Sequence, residues 1–105
     1  MKIGKLRHRI EIQGKHVSRS SFGEEVIEWV TFITTWASVE PLIGKEYFAT
    51  KQTQASTSHK ITMRYQMGIK PYNRVKYGDR IFDINAILNV EEKDRELVIY
   101  ATESI

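Results

Sequence analysis

Apolar and polar residues alternate along most of the chain, which is the period of a half-buried β-strand. In "LRHRIEIQ", Leu6, His8, Ile10 and Ile12 share one face, and Arg7, Arg9, Glu11 and Gln13 share the other. The run "EVIEWVTFITTWASVE" is rich in β-branched and aromatic residues and predicts a second strand. Apolar residues on both of its faces, together with its length, predict a bend or bulge partway along it, as at a barrel corner. Pro41 ends the run, because proline cannot donate to a strand ladder. Alternation resumes in "HKITMRYQ", with His59, Ile61, Met63 and Tyr65 on one side. In "RVKYGDRIFDINAILNV" the triplet Tyr77-Gly78-Asp79 marks a hairpin, with Gly78 supplying the turn geometry. "EEKD" then separates Val90 from "RELVIYATE" as the charged tip of another hairpin.

Two polar stretches interrupt this pattern. "GKHVSRSSFGEE", rich in Gly and Ser and bracketed by Gly14 and Gly23, reads as a long exposed loop. "GKEYFATKQTQAS" has a weak apolar stripe through Tyr47 or Phe48, and its Thr and Ser content lowers helical propensity. The pattern as a whole predicts a mainly β fold: a small antiparallel β-barrel or sandwich of five to six strands, with one short helix or long loop inserted after the second strand. Residues 1–105 are expected to form one domain.

Composition removes several classes of function. The chain has no cysteine, which excludes disulfide scaffolds, thiolate metal sites and cysteine nucleophiles. "MKIGKLRHRI" carries charge with no apolar stretch behind it, so it does not read as a signal peptide. No run approaches the roughly 18 apolar residues of a membrane span. A soluble protein made in a cytosol and without a membrane partner is expected.

Net charge is only +3, but it is unevenly placed. Six cations between Lys60 and Arg80 face a single acid, Asp79. From Ile81 onward six acids face only Lys93 and Arg95. Such a split suits a nucleic-acid surface or neighbours that meet plus against minus.

Chemistry-bearing patterns are sparse. His8, His16 and His59 share no metal-ligand spacing, and His8 and His59 fall in register with apolar strand neighbours, as partly buried, satisfied histidines do. The acid pairs Glu24-Glu25 and Glu91-Glu92 lie in expected turns, where adjacent side chains diverge instead of converging on a substrate. No Gly-x-Ser-x-Gly elbow and no Gly-rich phosphate loop is present. No enzyme, catalytic residue, metal site or cofactor is expected. One alternative has the right ingredients: Tyr65, Tyr72, Tyr77 and Phe82 are interleaved with Arg64, Lys70, Arg74, Lys76 and Arg80, the mixture with which small barrels bind single-stranded nucleic acid without sequence specificity.

The two polar stretches point elsewhere. Long loops in compact domains are usually functional, and with no chemistry in them the remaining role is contact with other proteins. Several segments then carry a family likeness: "GKLRHRIEIQ", Glu28-Trp29, "TTWASVEPLIGKEYFATKQTQAS", the strand at Ser58-His59-Lys60-Ile61, and "RVKYGDRIFDI". Their order and spacing resemble the bacteriophage head-tail joining family, also called head closure or stopper proteins, over essentially the whole chain.

That resemblance implies a structural connector protein of a long-tailed phage or prophage, a homo-oligomeric ring in the virion assembled in the host bacterial cytoplasm. Its implied partners are a portal-side adaptor protein, a tail completion protein and the packaged double-stranded DNA, which the ring helps to retain while the tail docks. By the same analogy Pro41 to Ser58 faces the channel, with Lys45, Lys51, Gln52 and Gln54 near DNA phosphates that they would not read for sequence. The charge split suggests the ring contact. A basic patch of Arg64, Arg74, Lys76 and Arg80 on one subunit would meet the acidic tip, Glu91, Glu92 and Asp94, of a neighbour, each exposed pair contributing about 0.2–1 kcal/mol.

Overall fold

The computed structural model describes residues 6–42 and 57–104. Six strands account for most of them: β1 (His8–Arg19), β2 (Glu25–Pro41), β3 (His59–Arg64), β4 (Arg74–Tyr77), β5 (Arg80–Asn89) and β6 (Glu96–Ser104). All neighbours pair antiparallel and the sheet closes on itself in the order β1-β2-β3-β6-β5-β4. The fold is therefore mainly β, as the alternation predicts, and of barrel and sandwich it is the barrel. The segment expected to hold a short helix or long loop, 44–56, lies outside the described residues.

Alternation determines the interior. Ile10 and Ile12 of β1, Ile61 and Met63 of β3, Val75 of β4, Phe82 of β5 and Ile99 of β6 are completely shielded from solvent. Ile69, from the connection between β3 and β4, adds a lid. Closure abolishes free sheet edges at the level of the core, where these side chains fill the centre.

Two bulges shape the wall. Ile12 pairs with Ile33 but Gln13 pairs with Thr31, so Phe32 is an extra residue in β2, the irregularity its two-sided apolar pattern predicts. Similarly, Ile84 pairs with Ala101 and Ala86 with Tyr100, leaving Asn85 extra. Asn85 Nδ2 donates to the hydroxyls of Thr57 and Thr102, at 2.7 and 2.8 Å, tying the returning chain to β6.

The stretch from Gly14 to Glu25 departs from the sequence expectation. It is no loop: β1 continues to Arg19, β2 begins at Glu25, and the ladder runs unbroken from Gly14–Val30 to Arg19–Glu25. On the far side of each strand, pairing stops early. β4 meets β1 only at Glu11, Ile12 and Gln13, and β3 meets β2 only from Ala37 to Pro41. The distal halves of β1 and β2 thus form a two-stranded arm that projects beyond the barrel, and the molecule measures 50 × 27 × 26 Å. A strand advertises itself by alternation only where one face is buried. Beyond the barrel neither face is, so the alternation fades although the backbone pairing does not.

The strand directions give the barrel two distinct ends. The arm, the β3–β4 connection and the β5–β6 hairpin tip share one. The β4–β5 turn, the exit of the chain at Leu42, its return at Thr57 and the end of β6 share the other.

Candidate functional site

Among the described residues, the arm is the most exposed apolar element. Val17 and Ile27 face each other on one side, 55% and 56% exposed, while Val26, Val30 and Phe32 are also largely open to solvent. Soluble proteins place such clusters where another surface covers them. At the tip Ser20 organises a compact turn: its amide donates to the Glu24 carbonyl at 2.8 Å, and its hydroxyl accepts from the amides of Phe22 and Glu24. Gly23 adopts φ +83° there. This turn holds Phe22 outward, 91% exposed.

The root of the arm is braced by polar contacts on the outer wall. Arg74 Nε donates to Gln13 Oε1 at 2.7 Å, and the Arg74 guanidinium lies 4.2 Å from the ring centre of Trp29. Lys15 approaches the same indole at 5.4 Å. Thr31 donates to Glu11 at 2.9 Å and accepts from Gln13 at 3.1 Å. Further down the wall Arg9 covers Trp36 at 5.1 Å.

At the opposite end a polar clasp closes the point where residues 43–56 leave and return. The Leu42 amide donates to the Ser58 carbonyl at 2.9 Å, and the Ser58 amide to Ala101 at 2.9 Å. Ser58 Oγ accepts from the Glu103 amide at 2.9 Å and lies 2.8 Å from His59 Nδ1. Arg80 grips Glu103 through Nε and Nη2 at 2.8 and 3.0 Å. The bond from Arg80 holds the Glu103 carboxyl below its ordinary range. Burial lowers the His59 pKa; Glu103 opposes that shift and Arg80 adds to it.

A depressed histidine pKa makes the folded state bind its proton less readily than the unfolded chain. His59 therefore supports folding above about pH 6.5, its ordinary value, and that support is lost as the pH falls through the lowered folded value. We expect urea unfolding to show a loss of stability between pH 7.5 and 5.5 that is shallower in His59→Gln. An unchanged slope would show that His59 does not carry the effect.

The residues singled out in the sequence do not gather in one place. Arg74 sits at the arm root, Lys76 lies opposite Glu11 on β1, and Arg80 belongs to the clasp at the far end. Arg64 closes β3 opposite Glu96, beside the β5–β6 tip. In that tip Glu91 pairs with Lys93 at 2.8 Å, and Asn89 binds both the carboxylate and the amide of Asp94. Glu91, Glu92 and Asp94 all take φ near 54°, a backbone region that favours glycine. Arg64, Tyr65 and this tip line an open groove of about 670 Å³. Lys45, Lys51, Gln52 and Gln54 lie outside the described residues.

The aromatic residues also separate. Phe82 is fully buried, Tyr65 and Tyr77 pack against the core, and Tyr72 stands alone at 73% exposure. They form no common stacking platform. His59 meets Phe82 edge-on at 5.0 Å, and His8 meets Tyr77 at 4.9 Å. His8 Nδ1, expected to be satisfied, is buried with no hydrogen-bond partner among the described residues. No group of three or more metal-ligating side chains occurs among the described residues, and no helix there is long and apolar enough to cross a membrane.

A barrel with a filled interior, and with an apolar arm held out from one rim, is a protein that works by its outer surface, as assembly proteins do. The chain belongs to the phage head completion protein family, whose model matches residues 1–104, and it is accordingly a structural protein of the phage head. Protein SF1141 from Shigella flexneri 2a, known from a solution structure, superposes with a TM-score of 0.77 at 28% identity, covering 99% of this chain and 97% of that one. A chain in the virion of a native gene transfer agent particle has the same fold, with a TM-score of 0.64 at 18% identity over 95% and 96% of the two chains. No curated protein shows significant similarity to the sequence.

The arm is what sequence reasoning missed. One signal was available: Val17 and Ile27 stand at equal distances on either side of Phe22 in the Ser- and Gly-rich turn, as cross-strand partners in a hairpin do.

Proposed function

We propose that this protein forms a homo-oligomeric ring in the virion, between a portal-side adaptor and a tail completion protein, and that the ring helps retain packaged double-stranded DNA and docks the tail. The carrying observation is the family match over residues 1–104, joined to a barrel with an apolar arm at one end and the exit and return of residues 43–56 at the other. The fold shared with a gene transfer agent virion chain supports a place in the particle. Residues 1–105 act as one head-tail joining domain, assembled in the host bacterial cytoplasm. Pro41 to Ser58 faces the channel, where Lys45, Lys51, Gln52 and Gln54 approach DNA phosphates without reading sequence. Arg64, Lys76 and the acidic tip of Glu91, Glu92 and Asp94 contribute at subunit boundaries, while Arg74 and Arg80 do so from positions already engaged within the subunit.

Electron microscopy of lysates from a phage or prophage lacking this gene tests the proposal. Free tails beside detached heads, some emptied of DNA, are expected. Intact, infectious particles would overturn it. Single-stranded nucleic-acid binding has the weaker support, because Phe82 is buried, Tyr65 and Tyr77 pack against the core, and only Tyr72 of the four is exposed.

A further inference from the structure

The arm tip carries an aromatic knob flanked by acid: Phe22 is 91% exposed and is followed closely by Glu24, Glu25 and Glu28. Elsewhere on the same surface lies a mainly apolar groove of about 420 Å³, lined by Leu6, Thr35, Trp36 and Arg64. Arg9 covers the Trp36 ring at its rim. The knob is apolar and acidic, the groove apolar and basic. We propose that Phe22 of one subunit seats in the Leu6–Trp36 groove of a second copy of this chain, with Glu24 and Glu28 set against Arg9 and Arg64.

Three observations commit the groove to a second copy. The first is reach. Val26 and Trp36 lie about 33 Å apart along one strand at the usual rise per residue, Phe22 lies beyond Val26, and a paired strand cannot fold back on itself. The knob can therefore enter such a groove only on another molecule. The second is charge. Within the arm, Arg19 faces Glu25 and His16 faces Glu28 across the ladder, whereas Glu24 has no cross-strand cation opposite it. Arg64 stands opposite Glu96 in the β3–β6 ladder, no carboxylate lines the groove among the described residues, and Glu11 already accepts from Thr31.

The third is repeat. A head-to-tail contact recurs at the knob-to-groove spacing, which runs along the 50 Å length of the molecule. Successive copies therefore lie side by side and overlap along that length. Knob and groove are different patches, which makes the contact heterologous. Such contacts generate a closed ring when each step turns and an open fibre when it does not. The docked arm would also cover Val17, Val26, Ile27 and Val30, which stand exposed in the isolated chain. A two-stranded ribbon alone is marginal in water, so a neighbour that covers it stabilises both.

The inference rests on the ring proposed above, and the following experiment separates the two. The chain has no cysteine, so Phe22→Cys with Thr35→Cys introduces the only two thiols. The doubly substituted full-length protein is supplied to a phage lacking the gene, and purified heads are oxidised and separated under non-reducing denaturing conditions. A ladder of covalent multimers beyond the dimer is expected, because each subunit offers one half of two different contacts. A dimer that does not extend, or a Phe22→Cys thiol joined only to a different head or tail protein, would overturn the arm-to-groove contact and leave the ring intact. Absence of the wild-type protein from heads would overturn the ring itself.

Charge exchange keeps the test independent of the new thiols. Arg9→Glu with Arg64→Glu is expected to abolish incorporation, as is Glu24→Lys with Glu28→Lys. All four together are expected to restore it. Failure of the fourfold variant, when circular dichroism shows it folded, would count against the pairing.

Discussion

Phe82→Ala is expected to bring the protein close to unfolding, while Phe22→Ala leaves its stability unchanged within about 0.5 kcal/mol. The same truncation is made twice, once at a side chain wholly inside the barrel and once at one that is 91% exposed. Removing a buried phenyl ring costs about 3–5 kcal/mol, from the lost transfer energy and the cavity that remains. A domain of this length has only about 5–15 kcal/mol in total. The loss corresponds to a fall in Tm of roughly 15 °C or more. It also withdraws the ring against which His59 packs edge-on, so the clasp loosens with the core. Thermal and urea unfolding of both variants check this. If Phe22→Ala destabilised the isolated chain as much, the arm tip would belong to the folding unit and would not be a contact surface.

Replacing residues 16–28 by Asn-Gly is the second large effect, and it falls on assembly. Lys15 and Trp29 are cross-strand partners, so a two-residue turn joins them with the twist a hairpin requires. The Arg74, Gln13 and Trp29 contacts that brace the arm root survive the change. We expect a folded barrel with unfolding midpoints close to the wild type, and loss of nearly all infectious particles when the variant replaces the wild-type gene. Full infectivity with the shortened arm would show that the exposed apolar ladder has no role in the particle. A barrel that unfolds would show that the arm is part of what holds it together.

The two variants also mark what alternation could and could not convey. Ile10, Ile12, Ile61 and Met63 were legible because each sits in a strand with one wet and one dry face. The Tyr77-Gly78-Asp79 turn was legible because Gly78 takes φ +59°, which the sequence announces by placing a glycine there. The two-sided apolar character of β2 gave away the bulge at Phe32. Between Lys15 and Val26 these cues fail, since a ribbon wet on both faces has no reason to alternate. The basic residues from Arg64 to Arg80 read as one patch because they are close in sequence. Folding separates them, since β3, β4 and the β4–β5 turn carry them to opposite ends of the barrel. Nearness along the chain predicts nearness in space only within a strand or a tight turn.

The clasp at Leu42, Ser58 and Glu103 has a mechanical consequence. A force drawing residues 43–56 away from the barrel pulls β2 and β3 together, along their own axes. β2 then slides against β1, and β3 against β6, so the ladder bonds of both pairings bear the load at once instead of parting one after another. A hairpin pulled from its closed end in this way is loaded in shear, the direction in which a β-ladder resists most. The same connectivity that fixes the register of β3 makes the segment it carries a firmly anchored tether.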